Sequence, residues 1–314
     1  MSGLLSIIIP TYKRKESLER LLKALLAQES VQQEIIVVDQ NPSGFLDAIL
    51  AGLDGVERLV LDRPNASDAR NKGYLRASGD YLLFIDDDLL PEADFCKTAL
   101  DVFSKNSSIG CFSPLVYSVS GKELAMAQAN SKRVDTLEGD SRIFRITDTI
   151  SAALFFRRDY YRQTGGFDPM LFDFARTAED QEFFLRMRKK ELGLYFVPFV
   201  EVFHDEDVPG GCDLRTAEYW ITREKCMKSW AYRYRIHNEV PGILSLSDGF
   251  RLMRSAFLNK EGLLSGPAML LRQVKVLIQS IKASRVFLKE RLTNYVSVRD
   301  MDHLSEGVKM ERSE

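Results

Sequence analysis

From residue 4 to about residue 104, short apolar runs alternate with segments of helical period. That alternation is the pattern of strands and helices laid down in turn to build a mostly parallel α/β sheet. The runs Leu5 to Ile9, Glu34 to Val38, Glu57 to Leu61 and Tyr81 to Ile85 predict four strands. Between the first two, Leu18, Leu21, Leu22, Leu25 and Leu26 fall at i, i+3, i+4, i+7 and i+8, which gives a helix one apolar face to lay on the sheet. A second helix is expected from near Ser67 to Ala77, closed by Gly79 in a left-handed conformation, and a third from about Glu92 to Ser104.

Further along, Ile109 to Val119 and Thr149 to Phe156 predict strands, separated by a polar stretch, Ser120 to Asp148, without a clear period. Gly165, Gly166, Phe167, Asp168 and Pro169 are turn chemistry. A helix is expected from about Ala178 to Lys190 with Phe183, Phe184 and Met187 on one side, and then a strand, Leu194 to Val197, leading to Pro198. Composition turns basic and helical after Pro241 and Gly242. The expected organisation is therefore an α/β domain over 1–240, with halves 1–104 and 105–240, and a helical extension over 241–314.

Composition changes this picture little. Hydrophobic residues make up 45% and charged residues 28% of the 314, the mixture of an ordinary globular chain, and a net charge of -2 gives no reason to expect a nucleic-acid partner. Cys96, Cys111, Cys212 and Cys226 form no CxxC pair, so neither a zinc cluster nor a disulfide framework is expected and a reducing, cytoplasmic setting is. The run Leu4 to Ile9 ends at Pro10 without a basic leader or a small-residue cleavage site, so it reads as a strand rather than a signal peptide. Nowhere do ~18 apolar residues run together without charge, and membrane contact, if any, is expected to be peripheral.

In open parallel sheets ligands gather at the carboxyl ends of strands. Here those ends are polar: Pro10, Thr11 and Tyr12 after the first strand, Asp39 after the second, and Asp86, Asp87 and Asp88 after the fourth. No GxGxxG and no GxxxxGK[ST] is present, which argues against a dinucleotide fold and a P-loop. In extended backbone Asp86 and Asp88 would share a face while Asp87 points elsewhere. Hard oxygen ligands so placed suit Mg²⁺ or Mn²⁺, whereas the plainer alternative is a solvated acidic turn before a helix.

The ordered pieces Ile7-Ile8-Ile9-Pro10-Thr11-Tyr12 with Arg14, Ile36-Val37-Val38-Asp39, Ala69-Arg70-Asn71 with Gly73, Ala77, Gly79 and Asp80, Phe84-Ile85-Asp86-Asp87-Asp88, and Gly165-Gly166-Phe167-Asp168 ahead of Glu179-Asp180 resemble the family 2 glycosyltransferases of the GT-A fold. The resemblance covers roughly residues 4 to 210. It implies an inverting, metal-dependent enzyme that takes a sugar from a nucleoside diphosphate sugar to a glycan or lipid-linked acceptor. On that basis Pro10, Thr11, Tyr12, Arg14, Asp39, Arg70, Asp86, Asp87 and Asp88 would bind the donor, with Tyr12 and Asp39 on the base and Asp86 on the ribose. Asp88 would ligate the cation, joined by His204, and an imidazole tilts the metal toward Mn²⁺ over Mg²⁺. Gly166, Phe167, Asp168 and Glu179 would stand on the acceptor side, with Asp180 as general base and Glu182 or Asp168 next in line. The plainer alternatives are a strand-end His204 satisfied by Asp205 or Glu206, a mutual Asp39–Arg70 salt bridge, and simple helix N-terminal charges at Glu179 and Asp180.

Between Gly249 and Arg291 nine basic residues face two acids, and Leu270, Val274, Leu277, Ile281 and Leu288 form an apolar stripe beside Arg272, Lys275, Lys282 and Lys289. This is the layout of a helix lying on an anionic membrane, or of one docked on the catalytic domain with its basic edge in water. Tyr219, Trp220, Trp230, Tyr232 and Tyr234 with neighbouring basic residues extend that character upstream. Two other functions compete: a sugar nucleotidyltransferase, disfavoured because Pro10 to Lys15 lacks glycine, and a non-catalytic nucleotide-sugar or glycan-binding module.

Overall fold

Leu5–Thr11 is buried along its whole length and forms β1, as an unalternating Ile/Leu run suits a strand covered on both faces. The computed structural model describes residues 3–205 and 211, together with 225, 228, 229, 231, 271, 274–276 and 278–286. After β1 comes α1 (Lys15–Leu26), which buries Leu18, Leu21, Leu22 and Leu25 as its spacing predicts, and then β2 (Gln33–Asp39). The chain continues through α2 (Asp47–Leu50), β3 (Val56–Val60), α3 (Ala66–Arg76), β4 (Tyr81–Ile85), a short β5 (Leu89–Pro91) and α4 (Phe95–Lys105). Next are β6 (Cys111–Tyr117), α5 (Lys122–Asn130), β7 (Arg133–Leu137), β8 (Asp140–Ile146), β9 (Ala153–Arg157), α6 (Arg158–Thr164), α7 (Pro169–Ala175), α8 (Glu179–Lys189) and β10 (Leu194–His204).

The strands form one sheet in the order β3-β2-β1-β4-β9-β6-β10-β8-β7, with β5 paired to β10. The first four are parallel, so the ends of β1, β2 and β4 open on the same edge. β4 then meets β9 antiparallel, and beyond it β6 and β10 are parallel to each other. Side chains of β1 alternate between two cores: Ile7 and Ile9 pack with Leu18, Leu22 and Phe95, whereas Ile8 packs with Val38, Tyr74 and Phe84. β1 pairs with β4 only from Leu5 to Ile8, so Pro10, which lacks an N–H, falls where that pairing has ended.

Four expectations need correction. The polar stretch 120–148 is structured, as α5 and the β7–β8 hairpin; β7 is exposed over Arg133–Thr136 and α5 buries none of its residues, so neither wrote a hydrophobic period. Pro198 does not end β10: its pairing with β6 shifts between Val197 and Glu201, a bulge that leaves the proline without a ladder partner to disappoint. Gly79 is not a left-handed cap, since α3 ends at an extended Ala77. A Cβ at Gly79 would lie 2.5 Å from the Leu4 carbonyl oxygen, and that close approach is what demands glycine. Finally, Asp86–Asp88 is a turn between β4 and β5 rather than a continued strand, closed by the Leu89 amide donating to the Asp86 carbonyl.

Residues 3–169 and 180–211 belong to one compact unit, and 170–179 fall in a second with the described positions between 225 and 286. In the latter, 274–276 and 278–286 are helical; Ser280 and Ser284 are buried while Leu271, Val274 and Ile278 are exposed. Of the expected stripe, Val274 is exposed and Ile281 half-buried, and Leu270, Leu277 and Leu288 lie outside the described residues, as do the boundary at Pro241 and the aromatic residues 219–234. Among the described residues no helix is long and apolar enough to cross a membrane.

Candidate active site

Each polar strand end has a definite partner. Asp39, last in β2, is fully buried; its Oδ1 accepts from the Asn41 amide at 2.9 Å and the Asn41 side chain at 2.8 Å, and its Oδ2 from Arg58 Nε at 2.8 Å. Arg58 reaches it from β3, the neighbouring parallel strand. Asp39 therefore pairs with Arg58 and not with Arg70. Arg58 escaped the sequence reading because a lone arginine in a strand carries no signal until the pairing register is known.

The aspartate turn is held from three sides. Asp87 is anchored by Thr11, which donates to Oδ2 at 2.7 Å, by Arg14, which donates to Oδ1 at 3.0 Å, and by Ser17, which donates to its carbonyl at 2.7 Å. These contacts tie β1 and α1 to the turn. Burial, opposed by Arg14 and Thr11, pushes the Asp87 carboxyl up to about 7. Asp86 points the other way, to Arg70 at 2.7 Å, and is held above the usual carboxylate range by loss of water and by Asp88, against the pull of Arg70. Asp86 and Asp87 thus diverge, but the expected grouping of Asp86 with Asp88 is not seen: Arg14 joins Asp88 to Asp87, because these residues form a turn and not an alternating strand.

Asp88 meets His204, whose Nε2 lies 3.3 Å from its Oδ2. The cause is register: His204 pairs directly with Leu89 across β10 and β5, and the Asp205 amide donates to the Asp88 carbonyl at 3.0 Å. Asp88 is thus a partner of His204, and Glu206 lies outside the described residues. Burial would raise the Asp88 carboxyl, but the hydrogen bond from His204 and the charge of Arg14 outweigh it and hold it below the usual value. Asp88 Oδ1 is buried without a hydrogen-bond partner, an expensive state for a carboxylate oxygen that a bound cation would relieve. Asp88 and His204 thus fit a divalent cation as a pair. Among the described residues no group of three His, Cys, Asp or Glu side chains is assembled for one.

On the other side of Arg70, two stretches of chain far apart in sequence lock together. Asn71 accepts from the Phe167 amide at 2.9 Å, donates to the Phe167 carbonyl at 2.8 Å, and accepts from the Tyr161 hydroxyl at 3.1 Å. The turn that allows this needs glycine, because Gly165 and Gly166 take φ of 80° and 74°. Phe167 then stacks on Phe183 of α8 with centroids 4.3 Å apart, and the Arg70 guanidinium lies 5.1 Å from the Phe167 ring. Asp168 is fully buried beside this clamp. The role of Asn71 was invisible in sequence, since its partners lie about ninety residues away.

Glu179 and Asp180 open α8. Asp180 accepts from the Gln181 amide at 2.7 Å, and its carboxyl is raised: burial and Asp148 push it up, while that amide, Arg70 and Lys132 pull it down. Arg70 therefore acts on the charge of both Asp86 and Asp180. Glu182, the alternative base, is fully buried and held by Arg186 through two bonds of 3.0 and 2.8 Å. Lys132 and Asp148, 2.6 Å apart, line a cavity of ≈ 60 Å³ with Ser113, Leu115 and Phe196. Tyr12 is half-buried at the loop after β1, with Lys13 over its ring and its carbonyl accepting from the Gly211 amide at 2.9 Å.

The chain is similar to known proteins over part of its length. A glycosyltransferase of Haemophilus influenzae described as uncharacterized is 34% identical over 110 residues, covering 34% of this chain and 36% of that one. A glucosyl-dolichyl phosphate glucuronosyltransferase of Haloferax volcanii is 27% identical over 181 residues, 52% of this chain and 55% of its own. The chain thus spans between about a third and about half the length of these relatives. Among solved structures, a mannosyltransferase from Pyrobaculum calidifontis in complex with GDP-Man and Mn²⁺ has a TM-score of 0.55 at 15% identity, over 99% of this chain and 81% of that one, and shares the GT-A fold. Residues 6–165, just over half of the chain, match the family described as Glycosyl transferase family 2. With Asn71 and the strand-end aspartates inside that stretch, the chain belongs to glycosyl transferase family 2.

Proposed function

We propose that the chain transfers a sugar from a nucleoside diphosphate sugar to an acceptor hydroxyl by a single inverting displacement, with Mn²⁺ or Mg²⁺ at Asp88 and His204. The observation that carries this reading is the orphaned Asp88 Oδ1 beside His204, at the edge where β1, β2 and β4 end. When bound, the cation would neutralise the departing diphosphate as a Lewis acid. Asp39 and Tyr12 would receive the base, and Asp86 the ribose, with Arg70 holding its carboxylate in place. Asp180 would take the proton from the acceptor oxygen, and Arg70, acting on both aspartates, would keep the donor and acceptor sides in register. No side chain is assigned as a nucleophile, so a single displacement would invert the anomeric centre.

The acceptor side is read as a glycan or lipid-linked saccharide, a reading supported by the relative named for a dolichyl phosphate and by exposed Leu271, Val274 and Ile278 beside exposed Lys275, Lys282 and Arg285. The testing experiment is titration of UDP and of GDP into the full chain with and without Mn²⁺. Binding of one nucleotide should require metal, and Asp88→Asn should remove that requirement together with most of the affinity. Metal-independent binding of equal strength in both proteins would sink the reading.

A further inference from the structure

The carboxylates of the aspartate turn already have a cation. One nitrogen of Arg14 lies 2.6 Å from Asp88 Oδ2 and 3.0 Å from Asp87 Oδ1, so a single guanidinium bridges both acids. Its side chain is only 12% exposed, and its Nε is buried without a hydrogen-bond partner. The guanidinium is thus seated by charge and not by a full set of hydrogen bonds. Arg14 stands on the loop between β1 and α1, after Lys13 at a left-handed φ of 60°, and its own backbone is not yet helical. Over it passes Gly211, where even a Cβ would lie 3.3 Å from the guanidinium.

We infer that Arg14 is a resident counter-cation that holds Asp88 in the donor-free protein and surrenders it to the divalent cation, turning to the donor diphosphate as it does so. The inference rests on Asp88 being the metal ligand proposed above. A divalent ion held by Asp88 and His204 would stand close to the guanidinium on Asp88 Oδ2, and repulsion between the two cations favours displacement of Arg14. A buried guanidinium then needs a new anion, and the diphosphate matches its planar fork. Asp87, still bonded to Thr11, remains as the pivot. The consequence is coupling: metal alone competes with Arg14 and binds weakly, whereas metal with nucleotide gives the arginine somewhere to go.

The test uses the full chain and Mn²⁺, with free Mn²⁺ followed by its electron paramagnetic resonance signal, with and without UDP or GDP. Arg14→Gln should bind Mn²⁺ alone more tightly than the wild type, by at least about fivefold, the lower end of ordinary site coupling, and nucleotide should then add less to Mn²⁺ affinity. Arg14→Lys, which keeps a charge but loses the fork, should fall between, and it decides the matter if Arg14→Gln does not fold. Unchanged or weaker Mn²⁺ binding in the folded variant, with nucleotide binding still metal-dependent, overturns the role of Arg14 alone. Nucleotide binding in the wild type that ignores Mn²⁺ overturns the metal reading and this inference with it.

Discussion

Two acids two residues apart in α8 have opposite fates. Asp180 keeps a raised carboxyl near Arg70, Lys132 and Asp148, and Glu182 is spent on Arg186. Asp180→Asn should leave donor affinity nearly intact and lower turnover by ~10²–10⁴, as for a lost general base. A base works ionised, so kcat/KM should rise with pH through its pKa, and because that pKa is raised the acid limb should lie above the ordinary aspartate value of 3.8. A pH–rate profile checks this, and Asp180→Asn should erase that limb; a limb that survives the substitution moves the base elsewhere. Glu182→Ala should instead lower stability by about 3–5 kcal/mol, because a mostly buried guanidinium loses the carboxylate that grips it through two bonds. Urea unfolding measures that loss, and an unaltered unfolding midpoint would make the buried pair energetically idle.

At the scale of elements, α3 positions the site because it lies close to the sheet and grips the turn before α7. A Cβ at Gly73 would stand 2.3 Å from Ile8 Cγ2, so the glycine lets the helix settle onto β1. Asn65 begins α3 by accepting from the Asp68 amide at 3.0 Å, and Asn71, further along the helix, ties it to Phe167. Asn71→Ala should strand the buried Phe167 amide and carbonyl and cost about 2–4 kcal/mol. Hydrogen exchange should show the Phe167 amide losing protection, and donor affinity should fall as Arg70 loses its support. Undiminished protection at Phe167 would mean that other contacts hold the turn. The predicted face of α1 and the strands β1, β2 and β4 were legible because each buries an apolar run or stripe. β7 was not, since it is exposed over Arg133–Thr136 and has no face to bury, and its partner β8 buries only Ile143, Phe144 and Ile146 near its end.

For the whole molecule, the described helical positions between 271 and 286 expose Leu271, Val274, Ile278 and Val286 beside Lys275, Lys282 and Arg285. If this side meets an anionic membrane, the full chain should sediment with vesicles containing phosphatidylglycerol and be released by high salt, at about 1 kcal/mol per basic residue near the surface. Neutral vesicles should retain far less. Chain that ignores vesicles of either charge would end the membrane reading and leave the sugar-transfer chemistry untouched, because Asp88 and Asp180 belong to a different part of the chain.

The sequence by itself determined the elements that bury apolar surface, the acidic ends of β2 and β4, and the family signature, because burial leaves a period and strand ends place their residues by position alone. Only the tertiary structure decided the pairings. Register across β5 and β10 put His204 on Asp88, register across β2 and β3 put Arg58 on Asp39, and the α3 grip on Phe167 brought two distant stretches together. Arg14, Asp87 and Thr11 meet for the same reason: the β1–β4 pairing sets the loop after one strand beside the turn after the other. Charge partners across such distances have no period to betray them, since any arginine in reach would serve and the chain's path selects which one arrives.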